Sequence, residues 1–373
     1  MAITRRNVLF GIGTAALASV ARPQLTEAFF QASTAPAVLS EKELILLSRN
    51  ENPYGAFASV QQAMQDALKK ANRYPFEPDY DGLVERIAQL HAIKKDEVAV
   101  GMGSTELLRM AADSFTGPGK RLITGDPTFE VVGIYATWRN ADVVKVPLTA
   151  TYAHDLEAML RAARGNSNGG LIYICNPNNP TGSITPASTL AEFARSVPSG
   201  YVVLIDEAYH HFAVDMPDYA PTAPASNVIV TRTFSKVFGM AGIRLGYGVA
   251  PAKLLEQMEH AQLFNDMNIV ASSCGSVALD DVSATQAAAR RIIADRAEFM
   301  RQCASRKLRV IPSYANFVMV ETGKPAKTMR EEFRKRGIDV GRPFPPMLTY
   351  LRVSFGLPDQ MQLFWKAWDE IVS

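Results

Sequence analysis

Lys236 is the residue in this sequence best placed to act as a nucleophile. It stands in Thr231-Arg232-Thr233-Phe234-Ser235-Lys236, directly after the β-branched run Val228–Thr231, and Arg244-Leu245-Gly246 follows eight residues later. A lysine held among cations and apolar walls has its pKa lowered and becomes an amine nucleophile. The neighbouring hydroxyls and Arg244 have the chemistry of a phosphate site. A second run, Tyr201–Ile205, ends in Asp206-Glu207-Ala208-Tyr209. An acid there can face a protonated ring nitrogen, a ribose or a metal, or simply cap a helix. A third run, Leu171–Cys175, leads into Asn176-Pro177-Asn178-Asn179-Pro180-Thr181-Gly182, a rigid turn whose Asn side chains can bond a ring or phenolate. A fourth, Glu97–Val100, leads into Gly101-Met102-Gly103-Ser104-Thr105-Glu106 and then a helical pattern, where backbone N–H groups can cradle a phosphate. It is not a G-x-x-x-x-G-K-[ST] loop, which argues against an ordinary P-loop ATPase.

Taken singly, each motif reads as an ordinary turn. Together they supply a phosphate cradle, an acid, an Asn, a Tyr and a lysine, each after a strand. That inventory matches what pyridoxal 5′-phosphate requires: a lysine for a Schiff base, an acid for the pyridinium nitrogen, and polar groups for the phosphate.

The elements that must position these groups follow from the pattern. Further β-branched runs at Arg121–Thr124 and Asp142–Val146 interleave with helical spacing at Ser59–Ala71, Gly82–His91, Glu106–Ser114, Leu156–Arg164 and Ala187–Ser196. Alternating strands and helices predict an α/β fold with a mostly parallel sheet flanked by helices, and a ligand site at the strands' carboxyl ends. Beyond residue 252 the texture changes to long helical patterns (Lys253–Phe264, Ala284–Lys307, Ala326–Arg336) with lone strands at Phe317–Glu321, Ile338–Gly341 and Tyr350–Phe355, which predicts a smaller α+β domain. Glu43–Ser48 is expected to return to it. The predicted organisation is therefore 1–40 as leader and linker, 73–252 as a large cofactor-binding domain, and 41–72 with 253–373 as the small domain.

The motif set Asn-Pro-Asn-Asn-Pro-Thr-Gly, Asp-Glu-Ala-Tyr, Thr-x-Ser-Lys and Arg-Leu-Gly resembles the fold-type I, class I/II aminotransferases. Asn50-Glu51-Asn52-Pro53-Tyr54-Gly55, Arg73-Tyr74-Pro75 and Leu351-Arg352-Val353-Ser354-Phe355-Gly356 resemble the histidinol-phosphate aminotransferase branch. The resemblance covers about residues 44–370. It implies that Lys236 carries the Schiff base and shuttles the proton, and that Asp206 partners the ring nitrogen. It implies that Asn179 and Tyr209 bond the phenolate oxygen and that Phe129 stacks on the ring. Gly103, Ser104, Thr105, Thr233, Ser235 and Arg244 would hold the phosphate, with Tyr74 supplied by the partner of a homodimer with shared sites. Arg352 would bind the substrate's anionic group, and Arg342 and Tyr54 would line its pocket. The implied reaction is ping-pong transfer of an amino group between an amino donor and a 2-oxo acid. A decarboxylase or racemase acting on a phosphorylated amino acid, and a non-catalytic exported binding protein on the same scaffold, are the competing readings.

Two features depart from that branch. Thr4-Arg5-Arg6, an apolar run to Ala21 and the small-residue end Ser19-Val20-Ala21 have the plan of an export signal of the twin-arginine type, which implies a periplasmic protein or one held at the membrane by an uncleaved leader, with a cytoplasmic protein as the alternative. Asp266, in Leu263–Asn268, adds negative charge where a phosphorylated substrate would prefer none, if it faces the pocket.

Composition narrows the remaining classes. Hydrophobic residues make up 47% and charged residues 20%, a globular mix. The formal charge of +2 is carried wholly by residues 1–40, through Arg5, Arg6 and Arg22 against Glu27, so the rest is neutral and unsuited to a nucleic-acid partner. Cys175, Cys274 and Cys303 form no disulfide framework and no zinc spacing. His210-His211 lacks the further ligands of a metal site. His91, His154 and His260 read as surface positions, and Met258 and Met267 as core filler.

Overall fold

In the predicted sheet, strands buried on both faces need near-continuous apolar runs, and two strands meet that requirement, at Leu171–Cys175 and Tyr201–Ile205. The computed structural model describes residues 44–75, 77–216, 222, 225–262 and 267–372. Its central sheet has seven strands: β2 (Val98–Gly101), β3 (Arg121–Asp126), β4 (Asp142–Pro147), β5 (Gly170–Cys175), β6 (Tyr201–Asp206), β7 (Val228–Thr233) and β8 (Gly246–Val249). Their order is β2-β8-β7-β6-β5-β3-β4. β8 alone runs opposite to the other six, pairing antiparallel with both β2 and β7. Every residue of β5, β6 and β7 is buried.

Alternate residues of these strands serve opposite layers. Ile172, Ile174, Val203, Ile205, Val228 and Val230 face a core shared with Met159 and Ala163 of a helix at Leu156–Arg164, and with Leu190 and Phe193 of one at Ala187–Ser196. Leu171, Tyr173, Val202, Leu204 and Ile229 face the other side, against Leu107, Leu108, Met110 and Phe115 of a helix at Ser104–Phe115, Val132 of Val131–Trp138, and Leu254 of Ala252–Met258. Each fully buried Leu, Ile or Val contributes about 1.5–3 kcal/mol, so this three-layer core fixes the strand ends firmly.

The chain runs outward from β3 to β4, crosses back to β5, then proceeds through β6 to β7. The reversal opens a crevice between the ends of β3 and β5, the place where α/β sheets bind ligands.

Two small sheets complete the fold. β1 (Ile45–Leu47) pairs in parallel with β10 (Ile338–Val340), with Ile45 opposite Ile338, so the first described strand joins the last third of the chain. β9 (Phe317–Glu321) pairs antiparallel with β11 (Tyr350–Ser354), with Arg352 opposite Met319. The C-terminal helix Pro358–Val372 seals this region with Phe364, Trp365 and Trp368 against Phe299 and Phe333. The Phe333 and Phe364 rings stack 5.0 Å apart.

One expectation is overturned. His154 is not at the surface; it is 4% exposed, and its Nε2 lies 3.1 Å from the Cys175 carbonyl. Its ring fits because Gly125, on β3, has no Cβ: one built there would meet Nδ1 at 2.6 Å. Burial pushes the imidazole down to about 4, so it is neutral at ordinary pH. His91 is half-buried between Arg232 and Tyr247. Among the described residues no helix is long and apolar enough to cross a membrane.

Candidate active site

The strand ends converge on a cavity of about 560 Å³. The turn after β3 contributes Thr128, Phe129 and Glu130. Cys175 and Asn179 come from the end of β5 and its turn, and Asp206, Ala208 and Tyr209 from β6. Thr233, Ser235 and Lys236 come from β7, Ser104 and Thr105 from the helix after β2. Residues 48–51 close one side, and Arg342, Phe344 and Arg352 come from the C-terminal region.

Lys236 is half-buried, and its Nζ donates to the Arg49 carbonyl at 3.3 Å and lies 5.6 Å from the Tyr209 ring centroid. Burial pushes its ammonium down to about 8. Arg352 and Arg244 push the same way, while Glu51 and Asp206 oppose. At neutral pH about a tenth of such a group is the free amine, against well under a thousandth for an ordinary lysine.

Asp206 is 3% exposed and sits at the end of β6, where its backbone is fixed on one side by β5 and on the other by β7. Its Oδ2 accepts from Tyr173 Oη at 3.1 Å and its Oδ1 from Thr231 Oγ1 at 3.4 Å. Burial raises its carboxyl to about 6, against these bonds, the Ala208 N–H and the charge of Lys236. It remains anionic at neutral pH and is ready for a cationic partner.

Arg352, on β11, is 7% exposed. It donates from Nη1 to Asn179 Oδ1 and from Nη2 to the Ser48 carbonyl, each at 2.6 Å, and its buried Nε has no partner among the described residues. Burial, with Arg342 nearby, holds it down to about 10, and it stays charged. Tyr209 Oη accepts from Asn50 Nδ2 at 3.0 Å, and its ring meets Phe317 edge-on at 5.1 Å.

The hydroxyl end of the cavity is pre-shaped. Thr233 Oγ1 donates to Ser235 Oγ at 2.9 Å and accepts from the Ser235 N–H at 3.1 Å. Gly103 caps the Ser104–Phe115 helix at φ 75° and ψ 160°, a conformation open in practice only to glycine. A Cβ there would stand 2.3 Å from Arg244 Nη2, so Arg244 lies against the bare glycine at the helix N-terminus.

Of the residues singled out from sequence, Ser104, Thr105, Phe129, Asn179, Asp206, Tyr209, Thr233, Ser235, Lys236, Arg244, Arg342 and Arg352 line this one cavity, and Gly103 lies behind Arg244. Tyr54 and Tyr74 do not line it. Tyr54 Oη donates to Asp295 at 2.9 Å under the Arg291 guanidinium, and Tyr74 is 76% exposed. Asp266 lies outside the described residues. Sequence reading missed Asn50, Glu51, Glu130 and Phe344. Asn50 and Glu51 stood within a quoted motif, whereas nothing local marks Glu130 or Phe344.

The profile of the family "Aminotransferase class I and II" matches residues 42–363. The chain is 32% identical over 344 residues to a histidinol-phosphate aminotransferase of Moorella thermoacetica, covering 90% of this chain and 87% of that one. It is 34% identical over 328 residues to one of Symbiobacterium thermophilum, covering 87% and 90%. The structure matches a histidinol-phosphate aminotransferase of Sinorhizobium meliloti in complex with pyridoxal 5′-phosphate at a TM-score of 0.82 and 26% identity, covering 92% of this chain and 97% of that one. The groups present here fit that cofactor: a depressed lysine, a buried carboxylate, and a hydroxyl cradle backed by a glycine that leaves room for Arg244.

Proposed function

We infer the chemistry of individual residues from one premise: the chain belongs to the class I and II aminotransferases, and is a pyridoxal-phosphate-dependent aminotransferase. The proposed substrates are a primary amine carrying an adjacent anionic head group, as amino donor, and a 2-oxo acid as acceptor. The observation that carries this reading is the meeting of Lys236, Asp206 and Arg352 in one cavity.

Ser104, Thr105, Thr233, Ser235 and Arg244 would hold the cofactor's phosphate, with Asp206 opposite its ring nitrogen, Asn179 and Tyr209 at its phenolic oxygen and Phe129 on the ring face. Bound there, the cofactor supplies an electron sink for the pair released when the substrate's Cα–H bond breaks. Asp206 supplies the fixed negative charge that keeps the ring nitrogen protonated. Lys236 is the base: its neutral amine takes the proton from Cα and, as an ammonium, would return it on the far side of the substrate nitrogen, two bonds away. Arg352, with its Nη groups tied to Asn179 and Ser48, orients the head group so that the Cα–H bond is presented to Lys236.

Tyr74 and Tyr54 we assign to a neighbouring copy's site in a homodimer, a reading supported by the exposure of Tyr74 and by the position of both outside this chain's own cavity. Residues 1–21, outside the described residues, support export by a twin-arginine-type route; Arg5→Lys with Arg6→Lys should leave a tagged full-length chain in the cytoplasmic fraction.

The central test is a half-reaction. The cofactor-loaded enzyme is mixed with an amino donor without acceptor, and the visible band should give way to the amine form's near-ultraviolet band. A 2-oxo acid should then restore it. Carbon dioxide released without nitrogen transfer would instead establish a decarboxylase. A spectrum unmoved by any amine would leave only a binding role.

A further inference from the structure

The proposed reaction does not account for the ion pair in the cavity wall. Arg342 Nη2 donates to the Glu130 carboxylate, and its Nη1 donates to the Pro343 carbonyl at 3.0 Å. Both residues line the same cavity as Arg352. The link to Arg352 is a shared ring: the Arg342 guanidinium lies 4.4 Å from the centroid of Phe344, and that of Arg352 lies 4.6 Å from it. Glu130 is thus a carboxylate on the same wall as the group that would receive the substrate's anion, joined to it through Arg342 and the Phe344 ring.

Its charge matters because the head group is the variable part of such substrates. A carboxylate carries one negative charge and is satisfied by one guanidinium used as a fork. A phosphate monoester carries nearly two at neutral pH and calls for a second cation. Of the other cations on the wall, Arg244 and Lys236 serve the cofactor and the proton, and Arg49 is exposed on the side closed by residues 48–51 rather than beside Phe344. Arg342 is the second guanidinium beside Phe344, and Glu130 already neutralises it. A phosphate entering here must break that pair or set its oxygens against the Glu130 carboxylate.

We propose that Glu130 is a specificity-determining residue: by occupying Arg342 it leaves Arg352 as the one guanidinium beside Phe344 without an acid partner among the described residues, and selects α-carboxylate amino donors over amino-alcohol phosphates. The inference rests on reading Arg352 as the head-group anchor, and the test separates the two.

The probes are acetate and methyl phosphate, which carry the two head groups and nothing else, used as competitive inhibitors of the cofactor-loaded enzyme. L-histidine and L-histidinol phosphate, which differ only in the head group, form a matched donor pair. Glu130→Gln keeps the size and an acceptor but removes the charge. It should lower the inhibition constant of methyl phosphate about fivefold, the upper range for an exposed pair, and leave that of acetate within about twofold. The kcat/KM ratio of histidinol phosphate to histidine should rise by a similar factor, through KM. Arg342→Met, which bares the Glu130 carboxylate, should move methyl phosphate the opposite way, and it serves if the Gln variant fails to load cofactor. Equal shifts for both probes, or none, overturn the proposal. If Arg352→Met leaves both inhibition constants unchanged, the head-group reading itself has failed.

Discussion

Gly103→Ala tests whether the hydroxyl end of the cavity holds a phosphate, and the structure sets its size. The added methyl group meets one neighbour, Nη2 of Arg244 at 2.3 Å, with Cζ at 3.0 Å. Arg244 is exposed and can swing aside, so the clash itself costs little. Two costs remain. Holding an alanine at φ 75° and ψ 160° takes about 1–3 kcal/mol from the local fold. Displacing Arg244 removes a charge-assisted hydrogen bond to the phosphate of about 1.5–3 kcal/mol, which raises the cofactor's Kd about 10- to 100-fold. The assay is titration of dialysed apoenzyme with pyridoxal phosphate, followed by tryptophan fluorescence, and needs no substrate. Arg244→Ala is the reference. Because the glycine acts on the phosphate largely through Arg244, the double variant should bind little worse than Arg244→Ala alone, giving a coupling of about 1 kcal/mol or more. A Gly103→Ala enzyme that binds cofactor within about twofold of the parent, or two substitutions that simply add, would refute the reasoning.

Three further outcomes are expected. The reactive form of Lys236 is the neutral amine, and its pKa is pushed down to about 8, so cofactor uptake by apoenzyme should rise about tenfold per pH unit up to about pH 8 and level off above it; stopped-flow absorbance between pH 6 and 10 measures it, and a midpoint near that of a free lysine would sink the assignment. Glu207 (0% exposed) takes two bonds from the buried Arg232, at 3.0 and 2.8 Å, behind the sheet, so Glu207→Ala strands a buried guanidinium and should cost about 3–5 kcal/mol in urea unfolding, whereas a loss below about 1 kcal/mol would show that water reaches Arg232. If Tyr74 serves a neighbouring copy, mixing inactive Lys236→Ala chains with Tyr74→Ala chains should recover about a quarter of the parental activity through hybrid dimers with one intact site, and no recovery after subunit exchange would place Tyr74 elsewhere.

Strands β5 and β6 were readable because a parallel sheet buried on both faces demands near-continuous apolar runs, and Leu171–Cys175 and Tyr201–Ile205 have them. The strand Gly246–Val249 was not, since Gly-Tyr-Gly-Val lacks such a run; Gly246 is needed because a Cβ there would stand 2.2 Å from the Ser104 nitrogen. The helix Ile269–Asp280 was also hidden. It is buried on most sides, at Ile269, Ala271, Ser272, Cys274, Gly275, Ala278 and Leu279, so it shows no one-sided stripe to find. His154 was misplaced for a related reason: its cavity is made by a missing Cβ on a distant strand, which no local pattern records.

The candidate site divides along a different line. Groups that follow a strand could be named from sequence, because the sheet delivers the carboxyl end of every strand but β8 to one edge. What those groups have free to offer could not, because pairing decides it across the chain. Tyr209 Oη accepts from Asn50, 159 residues away, so its own O–H is left to donate into the cavity. Asn50 is held for that task by Ser354, whose Oγ donates to its Oδ1 at 2.8 Å and accepts from its N–H at 2.9 Å. In the same way Arg342 is a free cation in the sequence and a neutralised one in the fold, because Glu130, 212 residues away, reaches it. The motifs therefore fix the reaction class, and the contacts between remote segments fix which proton and which charge a substrate meets. Two aminotransferases sharing every motif of this chain can differ in head-group preference through a residue outside all of them.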